Sequence, residues 1–293
     1  MALVCAHNAC AAVTRGGAVF AWGSNFYGEL AQPECGLETH DAVRVPLPDA
    51  PARMLAAGLW HQVAVLEDGR AHAWGRNEHG QLGPAASANL GGTYITLGWH
   101  IFGGESVLMA ACGNKHTLFV GRGGSLYACG QNSSGQLGLG DVLPRTGITR
   151  LEPGSLHGAR VTFAACGGSF SAVRTHDARM FTWGFGMGGC LGHGDEIQRT
   201  KPCAIAPAAF DHTQIVHLAA GDEHSFATNA DGNMWSWGDN SAGQLGLGHF
   251  APVLVPTALR AHCLGGHGAR TVACGGDHTL FVSTAGELYV CGG

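Results

Sequence analysis

The sequence predicts an all-β protein of the β-propeller class, and three observations carry that expectation. One pattern recurs six times along 293 residues, anchored by Trp22-Gly23, Trp74-Gly75, Cys129-Gly130, Trp183-Gly184, Trp237-Gly238 and Cys291-Gly292. These anchors step by 52, 55, 54, 54 and 54 residues, the mark of one supersecondary unit that buries its apolar face only against its neighbours. Each copy holds short apolar runs parted by Gly-centred turns and shows no helical periodicity. Four short strands per ~50 residues read as one propeller blade. Residues 1–293 are therefore expected to form a single repeat domain.

The elements follow in a fixed order within a copy. A strand such as Ile215 to Ala219 comes first, then a G-x-x-H loop. Two further strands, as in Gln62 to Leu66 and Arg70 to Trp74, flank Asp68-Gly69. Asp-Gly between two such runs predicts a hairpin with a type I′ turn. The second turn residue is Gly17, Gly69, Gly124, Gly232 or Gly286 in five copies; Ala178 departs, and with Phe170, Gly186 and Cys190 it sets apart the fourth copy, which is expected to differ locally in its turn geometry. After the anchor comes N-x-x-G-Q-L-G. Asn25, Asn77, Asn132 and Asn240 are placed to satisfy backbone groups of a tight turn, and Leu30, Leu82, Leu137, Leu191 and Leu245 form an apolar plug. A Pro-Val-type segment (Arg44 to Leu47, Lys201 to Ile205, Val255 to Leu259) completes the unit.

Composition removes several function classes. The formal net charge is −5, and 14 Arg and 2 Lys are scattered with no block of five basic residues, so no nucleic-acid contact is expected from this segment. Gly and His interrupt every apolar run within a few residues, which excludes a membrane-spanning helix. No charged n-region followed by a long apolar stretch marks Met1 to Cys10 as a signal peptide. Cys5, Cys112, Cys166 and Cys274 share one repeat position, and Cys129 with Cys291 shares the Trp position. A Cys that alternates with Ala or Trp reads as a small buried hydrophobe, hence reduced core thiols and an intracellular setting, cytoplasmic or nuclear. His262, Cys263 and His267 lie close together, but no C-x-x-C or H-x-x-x-H completes a four-ligand set, so neither metal nor cofactor is expected. The Gly-rich stretches do not match a phosphate-binding loop, and nothing resembles a nucleophile elbow; no catalytic residue is assigned.

Propellers of the Trp-Asp type have a shorter repeat and a Trp-Asp dipeptide, whereas Trp is followed here by Gly at each anchor; kelch blades carry paired Gly ahead of distant aromatics. G-x-x-H followed by W-G-x-N-x-x-G-Q-L-G-x-G, with GQLGLG intact at Gly135 to Gly140 and Gly243 to Gly248, resembles the regulator of chromosome condensation family over essentially the whole chain. That resemblance implies seven blades, yet 293 residues hold only about 5.4 repeats, so five to six blades and a fragment or incomplete ring are expected.

The recurring G-x-x-H loops supply the candidate site. His61, His116, His224 and His278 occupy the His position, with Ala9 and Phe170 in the other copies. Taken alone, four repeats at one place read as a strand-capping His bonded to a neighbouring blade. Phe170 is expected to pack where other copies hold His. The resemblance implies a protein-interaction surface, and in a family member that exchanges nucleotide on the small GTPase Ran these loops form the GTPase-binding face. Carried over residue by residue, it points to Trp60 and His61, Lys115 and His116, Phe170, Asp222, Glu223 and His224, and Asp277 and His278 as partner-binding residues. Trp60 and Lys115 stand where acidity would help exchange, so a non-catalytic platform ranks first, a Ran-like exchange factor second, and a structural subunit of a larger assembly third. The loop tryptophans that absorb light in another family member have one counterpart here, Trp60; Trp22, Trp74, Trp183 and Trp237 sit at the blade core.

Overall fold

The computed structural model describes residues 2–47, 50–84, 89–259 and 261–293. Among them the chain forms six antiparallel sheets of the propeller-blade type, each a meander whose strands pair in sequence order. The first holds β1 (Ala2–Cys5), β2 (Ala9–Val13), β3 (Val19–Ser24) and β4 (Glu38–Arg44). β5 (Ala52–Ala57), β6 (His61–Leu66), β7 (Ala71–Arg76) and β8 (Asn89–Leu97) make the second. The third comprises β9 (Val107–Cys112), β10 (His116–Gly121), β11 (Leu126–Gly130) and β12 (Arg145–Arg150). The fourth is built from β13 (Val161–Cys166), β14 (Phe170–Thr175), β15 (Met180–Gly184) and β16 (Arg199–Ala204). In the fifth are β17 (Ile215–Ala220), β18 (His224–Asn229), β19 (Met234–Gly238) and β20 (Val253–Ala258). The three-stranded sixth has β21 (Ala269–Cys274), β22 (His278–Ser283) and β23 (Leu288–Gly292). Helical structure among the described residues is confined to 3-10 turns of three or four residues. The outer strands β4, β16 and β20 begin two to six residues before the Pro-Val-type segments that the sequence singles out.

The chain divides into two compact units, residues 1–133 with 143–151 and residues 134–142 with 152–293. Residues 134–142 fall in the second unit because the loop after each anchor packs on the following sheet. The plug leucines Leu30, Leu82, Leu137, Leu191 and Leu245 are fully buried. In the first unit Leu30 joins Leu55, Ala64, Leu66 and Trp74, and Leu82 joins Phe102, Phe119, Tyr127 and Cys129. In the second, Leu245 packs with Phe226 and Phe281, whose rings meet edge-on at 5.2 Å. The turn Asn performs as its chemistry suggests: Leu30 N–H donates to Asn25 Oδ1 at 3.1 Å, Leu82 N–H to Asn77 Oδ1 at 2.9 Å and Leu245 N–H to Asn240 Oδ1 at 3.0 Å.

Inserting the plug buries the carbonyl just before it, and a buried carbonyl must find donors. They come from the next sheet. Trp74 Nε1 donates to Glu29 O at 2.8 Å, Trp183 Nε1 to Gln136 O at 2.9 Å and Trp237 Nε1 to Cys190 O at 3.0 Å. The Cys129 and Cys291 thiols donate to Gln81 O and Gln244 O at 3.4 and 3.1 Å. A second donor meets each carbonyl from the inner face of the same sheet: Gln62, Thr117, Ser171, Ser225 and Thr279, at 2.7 to 3.3 Å.

Three expectations need correction. The hairpin turn is not type I′: of the turn residues Glu67, Asp68 and Gly69 only Gly69 has positive φ, and Gly69 N–H donates to Leu66 O while Leu66 N–H donates to Arg70 O. This is a three-residue loop with a left-handed third residue, which supplies the same chain reversal with one special conformation rather than two. Nor does the fourth copy change this turn, since Ala178 adopts φ 62° where the others have Gly. Its departure lies one loop later, where Gly186 replaces the Asn and residues Met187–Gly189 wind into a 3-10 turn. Cys112, Cys166 and Cys274 form no disulfide, but the residues are half-buried rather than sealed. Their surroundings are still dry enough to push Cys112 and Cys274 up to about 12.

A left-handed alanine costs about 1 kcal/mol relative to glycine. Ala178→Gly should therefore raise the unfolding free energy by about that amount with an unchanged denaturant slope, measured by urea titration. A neutral or destabilising result would mean that Ala178 is not strained.

Candidate functional site

All six equivalent loops share one backbone turn. Ala6 N–H donates to Ala9 O at 2.7 Å, and Gly58, Gly113, Gly167, Gly221 and Gly275 donate to His61, His116, Phe170, His224 and His278 at 2.9 Å. The glycine is demanded by the ring three residues later: a Cβ on Gly58, Gly221 or Gly275 would overlap its own His ring, and one on Gly167 would overlap Phe170. In the first repeat Ala6 replaces Gly and Ala9 replaces the ring together.

His61, His116 and His224 are fully buried, so they hold the loops rather than face a partner. His61 Nε2 lies 2.9 Å from Thr117 Oγ1, and that hydroxyl spends its proton on Gln81 O at 2.7 Å. The hydroxyl must then accept from Nε2–H, and His61 Nδ1, buried with no acceptor to receive a second proton's bond, stays unprotonated, so the ring is neutral. His224 repeats the arrangement with Thr279 at 2.9 Å, whose hydroxyl donates to Gln244 O. Burial, with the neighbouring His116, pulls His61 down to about 3; burial above all pulls His224 down to about 4. Phe170 is fully buried against Cys190 and Leu191, the packing its sequence position predicts, and it too cannot meet a partner. His278 alone of the four histidines is exposed.

The two residues between Gly and His are the ones that reach solvent. In the first unit Trp60 and Lys115 are half-buried. The Arg76 guanidinium lies 4.7 Å from the Trp60 ring centroid and 4.4 Å from that of Tyr27, so one cation faces two rings. Arg76 also pairs with Glu78, Phe26 stacks edge-on against Tyr27 at 4.9 Å, and His7 lies 6.5 Å from Trp60. Sequence reasoning missed Tyr27, Phe26 and Arg76. Their common signal is position: Arg76 follows the Trp-Gly anchor directly, and Phe26-Tyr27 fill the two free places of N-x-x-G.

In the second unit Asp222, Glu223 and Asp277 come together as expected. Gly168 N–H donates to Asp222 O at 3.0 Å and Asp222 N–H to Gly276 O at 3.2 Å, stitching three successive loops side by side. Asp239, which the sequence reading passed over, joins them from the position that Arg76 holds in the second copy. Burial and the charges of Asp239, Asp222 and Asp277 together raise the Glu223 carboxyl above its ordinary range. Burial works the same way on Asp239, but hydrogen bonds from Ser241 and Gln244, both at 2.7 Å, hold it below. Among the described residues no group of three or more His, Cys, Asp or Glu side chains is arranged to hold a metal ion. The side chain of His262, considered above with Cys263 and His267, lies outside the described residues.

The regulator of chromosome condensation (RCC1) repeat model matches residues 123–174, 177–228 and 231–282, and a second model of the same repeat matches 55–81 and 215–244. The chain belongs to the RCC1 repeat family. The ultraviolet-B receptor UVR8 of Arabidopsis thaliana is 29% identical over 267 residues, covering 88% of this chain and 57% of the receptor. The crystal structure of human WBSCR16 superposes with a TM-score of 0.85 at 25% identity, covering 97% of this chain and 71% of that one. Prp20p of Saccharomyces cerevisiae, whose structure was described with its binding to Gsp1p and histones, gives 0.83 at 23% identity over 99% of this chain and 71% of that one, a likeness of fold. The chain thus spans little more than half the length of the curated receptor it matches.

The buried histidines give the RCC1 repeats an acid limit. Both have an ordinary value of 6.5, and the folded chain refuses protons until about pH 3 to 4. Between those limits the unfolded state binds more protons, so stability is complete above about pH 6.5 and falls as the pH drops, by about 1.4 kcal/mol per pH unit for each histidine. His61→Gln should flatten that limb by one proton, read from unfolding free energies at pH 4 to 7. An unaltered slope would show that His61 titrates normally.

Proposed function

We propose that this RCC1-repeat chain is a non-catalytic protein-interaction platform that binds a basic segment of a partner protein through the loops of its second unit. The observation that carries this reading is the convergence of Asp222, Glu223, Asp239 and Asp277, with Glu223 pushed up in part by the other three. Carboxylates held close repel one another, and a cationic partner relieves that repulsion on binding. Trp60, with Tyr27, Phe26 and Arg76, offers a separate aromatic contact on the first unit, and Lys115 and His278 flank their own loops as further contacts. That the cysteines among the described residues form no disulfide supports a reducing, intracellular setting, and no helix among the described residues is long and apolar enough to cross a membrane. A role as a subunit of a larger assembly would use the same surfaces in a permanent complex.

Asp222→Ala with Asp277→Ala should weaken binding of an Arg/Lys-rich peptide severalfold and flatten its salt dependence, chiefly by slowing association. Trp60→Ala should act on dissociation of a protein partner if its ring is an anchor. Stopped-flow titration at several ionic strengths separates the two. Full binding by every loop variant, with loss in variants of the G-Q-L-G turns, would move the working surface elsewhere.

A second reading is nucleotide exchange on a Ran-like GTPase, favoured by the acidic loops and by the described binding of Prp20p to Gsp1p. Exchange would work by binding the nucleotide-free GTPase more tightly than the loaded one. Release of a fluorescent guanine nucleotide from such a GTPase should accelerate on adding this chain and fall back with Asp222→Ala; an unchanged rate leaves the platform reading alone.

A further inference from the structure

The first sheet departs from the others at one cross-strand pair. At the loop end of each ladder Cys112 faces Thr117, Cys166 faces Ser171, Ala220 faces Ser225, Cys274 faces Thr279 and Ala57 faces Gln62. In the first sheet Cys5 of β1 faces Cys10 of β2. Because Ala6 N–H donates to Ala9 O, the pair Ala6–Ala9 is the hydrogen-bonded one and Cys5–Cys10, next along the ladder, is a non-hydrogen-bonded pair. Such pairs have the shorter of the two antiparallel spacings, within the range a disulfide spans. The two sulfurs lie 2.8 Å apart, the Cys10 thiol donating to Cys5. Cys5 is exposed and Cys10 half-buried.

We propose that Cys5 and Cys10 form a reversible dithiol–disulfide site, oxidised by exchange with a low-molecular-weight disulfide. The Cys5 thiolate, which solvent reaches, attacks one sulfur of the small disulfide; that S–S bond breaks and one small thiol leaves with a proton. Cys10 then attacks the Cys5 sulfur, breaking the mixed disulfide and releasing the second small thiol, which takes the Cys10 proton. Two protein thiols are oxidised and one small disulfide is reduced to two thiols. The order of attack follows from surroundings: burial and the adjacent Cys5 sulfur hold the Cys10 thiol up to about 12, and the second of these influences weakens once Cys5 carries a neutral adduct. The other cysteines at this repeat position face the hydroxyls of Thr117, Ser171 and Thr279 rather than a second cysteine.

The bond would close beneath the loop His7-Asn8, whose His7 N–H donates to Leu59 O at 3.3 Å and whose ring meets Trp60. Oxidation therefore braces the terminal strand β1 and the loop beside the aromatic cluster of the first unit. This inference is independent of what that cluster binds.

The test equilibrates the full chain with glutathione and glutathione disulfide in varied ratio, quenches with acid, alkylates under denaturing conditions and maps the tryptic peptide that ends at Arg15. Expected is the joint loss of both thiols from that peptide, with two hydrogens missing and no adduct, while Cys112, Cys166 and Cys274 still alkylate. Cys10→Ser should halt at a glutathione adduct on Cys5. The proposal is overturned if the parent protein accumulates that adduct, if Cys5 and Cys10 oxidise independently, or if another cysteine pair closes at the same or a lower fraction of disulfide.

Discussion

Each of the first five repeats delivers a buried backbone carbonyl to the next sheet, and the rest of the structure depends on how that carbonyl is met. Glu29, Gln81, Gln136, Cys190 and Gln244 each accept one bond from the anchor residue and one from the residue after the loop His or Phe. A carbonyl left bare beside a leucine plug would cost about 1–3 kcal/mol, so both donors matter. This constraint explains the substitutions at those places. Trp and Cys differ greatly in volume, yet both donate a hydrogen, and Gln62, Thr and Ser share the same property at the second place. Periodicity suggests that the anchor Cys is a small hydrophobe; its donation to the carbonyl is the additional reason it can stand in for Trp.

The same network decides what the loops can do. The hydroxyl of Thr117 or Thr279 donates to the carbonyl and accepts from His61 or His224, so the histidine is committed to linking one sheet to the next. Its ring occupies the space that a side chain at the loop Gly would fill. Where the first and fourth loop positions are committed to the frame, as they are with His61, His116 and His224, only the two between them are free to vary. Those carry Trp60 and Lys115 in one unit and Asp222, Glu223 and Asp277 in the other. Diversity of partners in this family can then be accommodated at two positions per loop, and at the residue after Trp-Gly, without disturbing the packing beneath.

Much of the fold was legible because the repeat is local. Plug leucines, turn asparagines, the hairpin and the fate of Phe170 all follow from residue type and spacing inside one copy. The turn type was not, since Asp-Gly fits both a two-residue and a three-residue loop and the choice rests on φ at Asp68. Ala178 was misjudged for a related reason: the pairing of β14 with β15 imposes the left-handed conformation whatever residue stands there.

The candidate site was legible in part. Asp222, Glu223 and Asp277 could be grouped because equivalent positions in a repeat become neighbours. Tyr27, Arg76 and Asp239 could not, because they belong to another loop of the repeat and meet the first only across strand or sheet boundaries. The sequence by itself determined the repeat, its strands and the chemistry available at each loop. Only the tertiary structure decided that His61, His116 and His224 are framework while Trp60 and the carboxylates are surface. That distinction lies in contacts between residues 55 or 56 positions apart, such as His61 with Thr117 and His224 with Thr279. Periodicity can announce that two such residues are equivalent in kind, but whether they touch depends on the packing of one sheet against the next.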